Sequence, residues 1–490
     1  MMRQDLLKHF LSGAMLTGIA LFSTKCLAQQ SLSLDAVLQS VDKSYPQIIA
    51  ARFRIGKAQG DYLTSLGQFD PSLHADLRSQ PVGGYINHSM DNEIVIPTLM
   101  NGIKFFGGYR IGRGDWPSYY QNFLTNSGGE YRAGLSLPLL RNRQIDGERT
   151  EILTQAETIK LHYQDAEATR IQVYHESIRA YWEWVRAGFQ LKTLKKLQKL
   201  AETRQEAIVK QARAGDMPTL AISENQQIIL KRQQLINEAQ MRLKQAAVGL
   251  SLYYRNHAGK PLLVHIKELP HSLVRKKSDK PEVKTKNTAQ IKSHPALKKL
   301  SVYTNILQLK KNLAANELLP NLDARTYAFK QFGSGGDSLL LQQALMAGLV
   351  FKFPILQREA KGKLISTQSE LQSVTTERRF LFEKLKNEFK NLLIAAEIFQ
   401  KQTQLLLEEL RLAQKVERGE NKKFYAGDST LFLVNQREQT TTQVELNLID
   451  TRVNLGISED LIHYFILKPF CGQSLQQQAT TALIVQNKKG

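Results

Sequence analysis

The sequence predicts a mainly α-helical protein with a small β part, in which a unit of strands and one very long helix occurs twice. Two landmarks recur at a single spacing of 249 residues: Ser44-Tyr45-Pro46 returns as Ser293-His294-Pro295, and Pro71 returns as Pro320. Each copy also has short stretches of alternating polarity, followed by a long segment without proline. A shared spacing with the same order of elements indicates duplication.

The duplication divides the chain into five parts. Residues 1–28 form a signal peptide, 29–256 the first repeat, 257–292 a linker or equatorial region, 293–457 the second repeat, and 458–490 a C-terminal equatorial segment with a flexible tail. A third pair of landmarks, Pro138 and Pro354, is only 216 residues apart instead of 249. The first copy therefore carries an insertion of 33 residues before Pro138.

The first residues have the features of an export signal. Arg3 and Lys8 precede an apolar stretch, and the small residue Ala28 ends a suitable cleavage site. Lipidation of Cys26 is the alternative, although Lys25 occupies a position where a small uncharged residue is expected. Cleavage after Ala28 leaves Cys471 as the only thiol, so no intramolecular disulfide can form.

Four strands are predicted, two in each repeat, at about 71–80, 131–140, 321–330 and 343–353. Apolar and polar residues alternate along each, which is typical of a sheet with two unlike faces. A soluble sandwich with one wet face is the alternative, but the export signal favours a membrane barrel. Four strands are too few to close such a barrel, so either other chains complete the sheet or it stays open.

The inserted region of the first repeat, from Pro81 to Glu130, is rich in glycine and aromatic residues. This composition predicts an enlarged outward-facing loop. A short additional hairpin around Ile103 to Ile111 is the alternative. Aromatic residues in this region suit the level of the lipid headgroups.

Two segments, from Pro138 to Gly215 and from Pro354 to Gly427, contain no internal proline and have apolar stripes among Lys, Glu and Gln. They predict coiled-coil helices, which at about 1.5 Å per residue reach about 100 Å. Each glycine starts a turn into a shorter returning helix. Short helices stacked end to end can then pair with each long helix.

These features together resemble the TolC family of outer-membrane efflux proteins over most of the chain, from Leu32 to about Gly456. The resemblance rests on Leu32-Ser33-Leu34-Asp35-Ala36-Val37 ahead of Tyr45-Pro46, on strands ending at Pro138 and Pro354, and on the two glycine turns. Each motif alone is weak, whereas their order, duplication and spacing together are specific.

The resemblance implies a homotrimer in the outer membrane of a Gram-negative bacterium. Four strands per chain would give a twelve-stranded transmembrane β-barrel, continued by a coiled-coil barrel of helices in the periplasm. The partners implied are outer-membrane lipid, a periplasmic adaptor (membrane fusion protein) and an inner-membrane transporter of a tripartite efflux or type I secretion complex. Pro138 and Pro354 would mark the junctions between barrel and helices.

In the family, the glycine turns form the end that docks the adaptor, which here implicates Gly215, Asp216, Tyr425, Gly427 and Asp428. Any helical hairpin needs such a turn, so the glycines alone would not indicate docking.

One departure from the family concerns the pore end. Acidic residues often stand six and nine positions after the second tip glycine, but here those positions are Leu433 and Gln436. We therefore expect a closed end held by apolar or polar contacts.

The sequence contains no complete phosphate loop, no cysteine pair at metal spacing and no His-Glu-x-x-His motif. It therefore predicts no enzyme activity, no cofactor and no metal site. The formal charge of +21 suits anionic lipid surfaces in an exported protein, and the alternative is that Lys and Arg simply solvate the surfaces of the long helices. Nucleic acid is not an expected partner. The alternative function is that of a soluble periplasmic coiled-coil adaptor or structural protein.

Overall fold

Two helices of 68 residues each dominate the protein: α3 (Gly147–Ala214) and, in the second repeat, a helix over Arg358–Tyr425. The computed structural model describes residues 31–117, 123–273, 291–335 and 341–465. The predicted signal peptide with Cys26, residues 274–290 of the linker, and Cys471 lie outside these ranges. Each long helix spans about 100 Å. Within the described residues, none of the helices combines the length and apolarity needed to cross a membrane.

Shorter helices accompany the long ones in both repeats. In chain order the described α-helices are α1 (Leu34–Ser44), α2 (Pro46–Leu66), α3, α4 (Leu220–Ser251), α5 (Pro295–Asn316), α6 (Arg358–Tyr425) and α7 (Leu431–Tyr464). The pairs α3–α4 and α6–α7 form the two hairpins, while α2 and α5 pack beside α3. Because α7 runs through Tyr464, the expected repeat boundary at residue 457 falls inside a helix.

The main apolar core surrounds the middle of α3, far from both ends of the molecule. Trp184 is completely buried there and Trp182 nearly so. Around them pack residues from α1, α4, the segment after α4, and α7, namely Val37, Val41, Leu250, Val264, Leu269, Val453 and Leu461. The core therefore joins the first repeat to the last helix of the second at mid-height.

In each repeat the strands follow a short helix, α2 or α5, and precede a long one, α3 or α6; together they form one six-stranded sheet. Every strand is antiparallel to its neighbour, and the order in the sheet follows the chain: β1 (Ser72–Gln80), β2 (Asn87–Pro97), β3 (Lys104–Gly114), β4 (Glu130–Pro138), β5 (Asn321–Gln331) and β6 (Ala344–Lys352). The strands β1, β4, β5 and β6 lie where the alternating polarity places them.

The prediction of four strands per chain is wrong, because the inserted region forms the hairpin β2–β3 rather than an enlarged loop. The alternative, a short hairpin around Ile103 to Ile111, is right that a hairpin exists but wrong in its extent: those residues form most of β3 alone, and each strand of the hairpin is 11 residues long. The alternation was obscured by the polar run Asp91-Asn92-Glu93 and by the glycines of β3, which are unfavourable in isolated strands. Here the ladders to β1 and β4 supply the order that local sequence lacks.

Candidate functional site

One face of the sheet is apolar and exposed. Residues directly opposite each other in the register share a face, and most of the apolar residues of the six strands fall on one side. The exceptions, on the other side, are Val95, Phe106, Phe329, Met346 and Val350. Leu77 and Leu345 are each 76% exposed. We call this the apolar face; its members include Leu73, Leu77, Ile94, Ile96, Phe105, Ile111, Leu135, Leu137, Leu349 and Phe351. A contiguous apolar surface of this size is typical of contact with lipid or another protein.

The opposite face, called here the polar face, carries ion pairs that run across strands. Arg132 on β4 contacts Asp91 and Glu93 on β2, both at 2.8 Å, and therefore reaches across β3. In the register, Gly108 lies between Glu93 and Arg132. A Cβ atom at Gly108 would lie 2.4 Å from the Asn92 carbonyl oxygen, so a larger residue would displace the neighbouring strand.

A second group of contacts continues along the polar face. The Arg110 guanidinium donates to both carboxylate oxygens of Glu130 at 3.0 Å, and the Gln331 amide donates to Glu130 at 3.2 Å. The guanidinium of Arg325 lies 4.3 Å from the centre of the Phe106 ring. These groups connect β3, β4 and β5, so the polar face is held together by charged side chains.

The two proline junctions are placed differently in the two repeats. Pro138 is the last residue of β4, is buried, and lies opposite Asp323, eight residues before the N-cap Asp146 of α3. Pro354 is exposed and lies shortly before α6 begins. Both therefore stand between the sheet and a long helix.

The two helical turns at the far end have the same backbone geometry. Gly215 and Gly427 both have a φ of +86°, and both follow a long helix. The Asp216 amide donates to the Gln211 carbonyl at 3.0 Å, and the Asp428 amide donates to the Lys423 carbonyl at 2.9 Å. This six-to-one bond around a left-handed residue is the Schellman motif, which satisfies carbonyl groups at a helix end.

The tip residues are exposed, and nothing lies within 4 Å of a Cβ atom built on either glycine. Tyr425, next to the second tip, is 66% exposed. Asp216 and Asp428 are exposed as well. The turns thus present free surface, although contact with a partner remains a prediction.

We expect Gly427→Ala to loosen the second tip, because a φ of +86° costs a residue with a Cβ atom about 1–2 kcal/mol. Amide hydrogen exchange around residues 424–431 should then accelerate roughly fivefold to thirtyfold. Gly419→Ala is the matched control, since this glycine lies inside α6 with open space around it and alanine is the better helix former. Equal exchange rates in both variants would contradict the assignment.

The predicted pore-end residues, Leu433 and Gln436, are both exposed on α7. They are three residues apart and so lie on one helix face. Their place at a pore end remains a prediction.

Sequence reasoning did not anticipate the role of Glu438, which is buried near the tips. Its carboxylate contacts Arg204 of α3 and, at 2.9 Å, Arg232 of α4. The side chain of Asn435 also accepts from Arg204 at 2.7 Å, and the Leu197 carbonyl accepts from Arg232 at 2.6 Å. We call Arg204, Arg232 and Glu438 the buried triad.

The buried triad fixes how the two hairpins meet. Arg204 stands eleven residues before Gly215, and Glu438 stands eleven residues after Gly427. At about 1.5 Å per residue, both glycines lie roughly 16 Å from the triad. The structure therefore brings the two tips to the same end of the molecule, opposite the sheet.

A second buried polar feature lies near the middle of the molecule. The rings of His175 and His294 pack against Phe465 with centroid distances of 6.3 and 5.8 Å. Burial lowers the pKa of each histidine to about 4, and Arg179 adds to this at His175. The Nδ1 atom of His294 accepts from the Ala296 amide at 3.2 Å, which caps α5 with a neutral imidazole.

Comparisons of the sequence find no matching protein-family model and no matching curated protein. Solved structures do match. The Campylobacter jejuni outer-membrane channel CmeC matches with a TM-score of 0.61 at 13% identity, over 94% of each chain. Vibrio cholerae VceC, an outer-membrane protein, matches with a TM-score of 0.63 at 12% identity, over 88% of this chain and 95% of that chain.

The Neisseria gonorrhoeae outer-membrane channel MtrE matches equally well, with a TM-score of 0.63 at 12% identity over 88% of each chain. At this level of identity the similarity concerns the fold. The chain therefore has the fold of the TolC-like outer-membrane channels, which the sequence motifs predicted.

Proposed function

We propose that the protein is one subunit of a trimeric outer-membrane channel, through which substrates leave the periplasm passively. The sheet stands in the outer membrane and the helical part lies in the periplasm. The tips at Gly215, Asp216, Tyr425, Gly427 and Asp428 dock a periplasmic adaptor, and an inner-membrane transporter delivers the cargo in a tripartite efflux or type I secretion complex. The protein conducts and does not catalyse.

The exposed apolar face of the sheet supports this proposal most strongly. A continuous apolar surface of this kind is energetically unfavourable in water. Its most exposed leucines are at least 69% exposed, namely Leu73, Leu77, Leu345 and Leu349. The two outermost strands also leave backbone groups unpaired within the chain, which a membrane makes costly. Lipid would cover the apolar face, and neighbouring subunits would pair with the backbone groups of the two edge strands.

Fractionation of cells that express the full chain tests the location. We expect the protein in the outer-membrane fraction, extractable only with detergent and migrating as a trimer after mild solubilisation. The alternative, a soluble periplasmic adaptor, predicts release without detergent. That result would contradict the proposal.

Deletion of the gene tests the export role. We expect either greater sensitivity to toxic compounds or loss of an exported protein, depending on the cargo. Restoring the wild-type chain should reverse the effect. Unchanged behaviour in both assays would leave the channel without an export role.

The pore end gives a further prediction. Because Leu433 and Gln436 are uncharged, multivalent cations added from the tip side should block the reconstituted channel only weakly. The double variant Leu433→Asp/Gln436→Asp would place six carboxylates around a trimeric pore, and block should strengthen at least tenfold. Strong block of the wild type that Asp428→Asn abolishes would show instead that Asp428 closes the pore.

A further inference from the structure

We infer that three copies of this chain close an eighteen-stranded barrel, in which the hairpin β2–β3 is part of the wall. This inference rests on the proposed trimeric channel and adds the strand number and width of its outer-membrane part. Three six-stranded sheets supply the eighteen strands. Four strands per chain would instead give twelve.

The hairpin is integrated into the sheet on both sides. Its first strand pairs with β1 from Ser72–Val95 to Gln80–Asn87, and its second pairs with β4 from Lys104–Ser136 to Arg110–Glu130. No direct pairing of β1 with β4 is present. A loop lying outside a closed wall would leave those two strands adjacent.

The hairpin also continues both faces of the wall. The apolar face runs from Leu73 through Ile94 on β2 to Ala133 on β4, with Gly107 between them on β3. Ile96 lies opposite Phe105, and Met90 lies opposite Ile111, on the same side. The hairpin therefore presents apolar side chains to lipid on the same side as the neighbouring strands β1 and β4 do.

The polar face holds the hairpin in place. Arg132 belongs to β4, yet its guanidinium lies across Gly108 and contacts Asp91 and Glu93 of β2. The Arg132 and Asp91 side chains are 14% and 29% exposed, so the contact is largely shielded from water. If the hairpin β2–β3 lay outside the wall, these ion pairs between β4 and β2 would be lost. In a barrel, this face would line the lumen.

The free edges of the sheet determine how copies join. Strands β1 and β6 form the two edges, and each has nine residues. Because the strand number is even and all neighbours are antiparallel, β6 of one copy can continue the antiparallel pattern with β1 of the next. Such a head-to-tail contact closes into a ring and satisfies every edge inside the membrane.

The consequence concerns the width of the exit. Barrel diameter grows roughly linearly with strand number, so the wall would be about 1.5-fold wider than one of twelve strands. Barrels of about 16–18 strands enclose an aqueous channel. The inserted hairpin thus enlarges the outer opening without altering the helical hairpins.

Disulfide trapping tests the inference in trimers carrying Cys471→Ser. In the first variant, Leu77→Cys is combined with Met90→Cys, two residues that are paired on the apolar face. Oxidation should produce a disulfide within one chain, detected by mass spectrometry. Each single cysteine variant is a matched control. In the comparison set, Leu77→Cys is combined with cysteine at Tyr131, Ala133 or Leu135 of β4, and no disulfide within the chain should form.

The edges are tested by combining Leu73→Cys with cysteine at Leu345, Ala347, Leu349 or Phe351 in turn. At least one register should link neighbouring chains and give covalent trimers on a denaturing gel. Electron microscopy of the wild-type trimer should show a barrel about 1.5-fold wider than a twelve-stranded one.

A disulfide from Leu77→Cys to β4, or a wild-type barrel of twelve-stranded width, would overturn the inference. A trimer in the outer membrane would still leave the proposed channel function intact. A soluble or monomeric protein would instead contradict the proposed function itself, so the two failures are distinguishable.

Discussion

Replacing Glu438 with leucine should lower the free energy of unfolding by about 3–5 kcal/mol, since it leaves Arg204 and Arg232 buried without a counter-ion. The side chains of the buried triad are between 1% and 7% exposed, so water cannot compensate for the lost carboxylate. Urea unfolding followed by circular dichroism of the helices measures the loss. Loss of the Glu438 carboxylate should also allow the two helical hairpins to separate near the tips.

Two further variants distinguish the charge imbalance from loss of packing. Glu408→Gln breaks an exposed ion pair with Arg411, which water screens, and should leave the free energy of unfolding almost unchanged. The triple variant Arg204→Met/Arg232→Met/Glu438→Leu removes all three charges and should recover most of the lost stability. If Glu438→Leu were no more harmful than Glu408→Gln, the triad would not hold the hairpins together.

Acidification should destabilise the fold between about pH 6.5 and pH 4, through His175 and His294. Burial lowers their pKa values to about 4 from the ordinary histidine value of 6.5, so the unfolded chain takes up these protons first as the pH falls. The stability that depends on the two neutral histidines is fully present above pH 6.5 and decreases as the pH falls from 6.5 to 4. Each histidine can account for at most about 3 kcal/mol.

The physical cause is visible at both rings. A protonated His294 could no longer accept the hydrogen bond from Ala296, and a charge would be placed against Phe465. Unfolding measured at pH 7 and pH 4.5 should show the loss, and His175→Gln/His294→Asn should reduce it. Asparagine keeps a capping acceptor for α5. His257→Asn, at an exposed position, serves as the control. An unchanged pH profile in the double variant would refute the assignment.

Local patterns predicted much of the fold. The absence of proline over α3 and α6 indicated uninterrupted helices, and the glycines at positions 215 and 427 marked the turns. The strands β1 and β6 were readable because a half-buried strand alternates every second residue. In each case the information lies within a few residues of the element itself.

The hairpin β2–β3 was predicted wrongly because its structure depends on contacts outside the segment itself. Its glycines and its polar run disfavour a strand in isolation, and pairing with β1 and β4 overrides that preference. Gly108, which seemed to belong to a loop, is the residue that allows Arg132 to reach β2. The strand count depended on these long-range pairs.

The sequence by itself determined the duplication, the lengths of the long helices and the positions of both tips, because periodicity, proline and glycine act locally. Only the tertiary structure decided that the sheet has six strands and that Glu438 meets two arginines from the other repeat. Arg204 and Glu438 are separated by 234 residues. Contacts across such distances arise from packing, which no local pattern encodes.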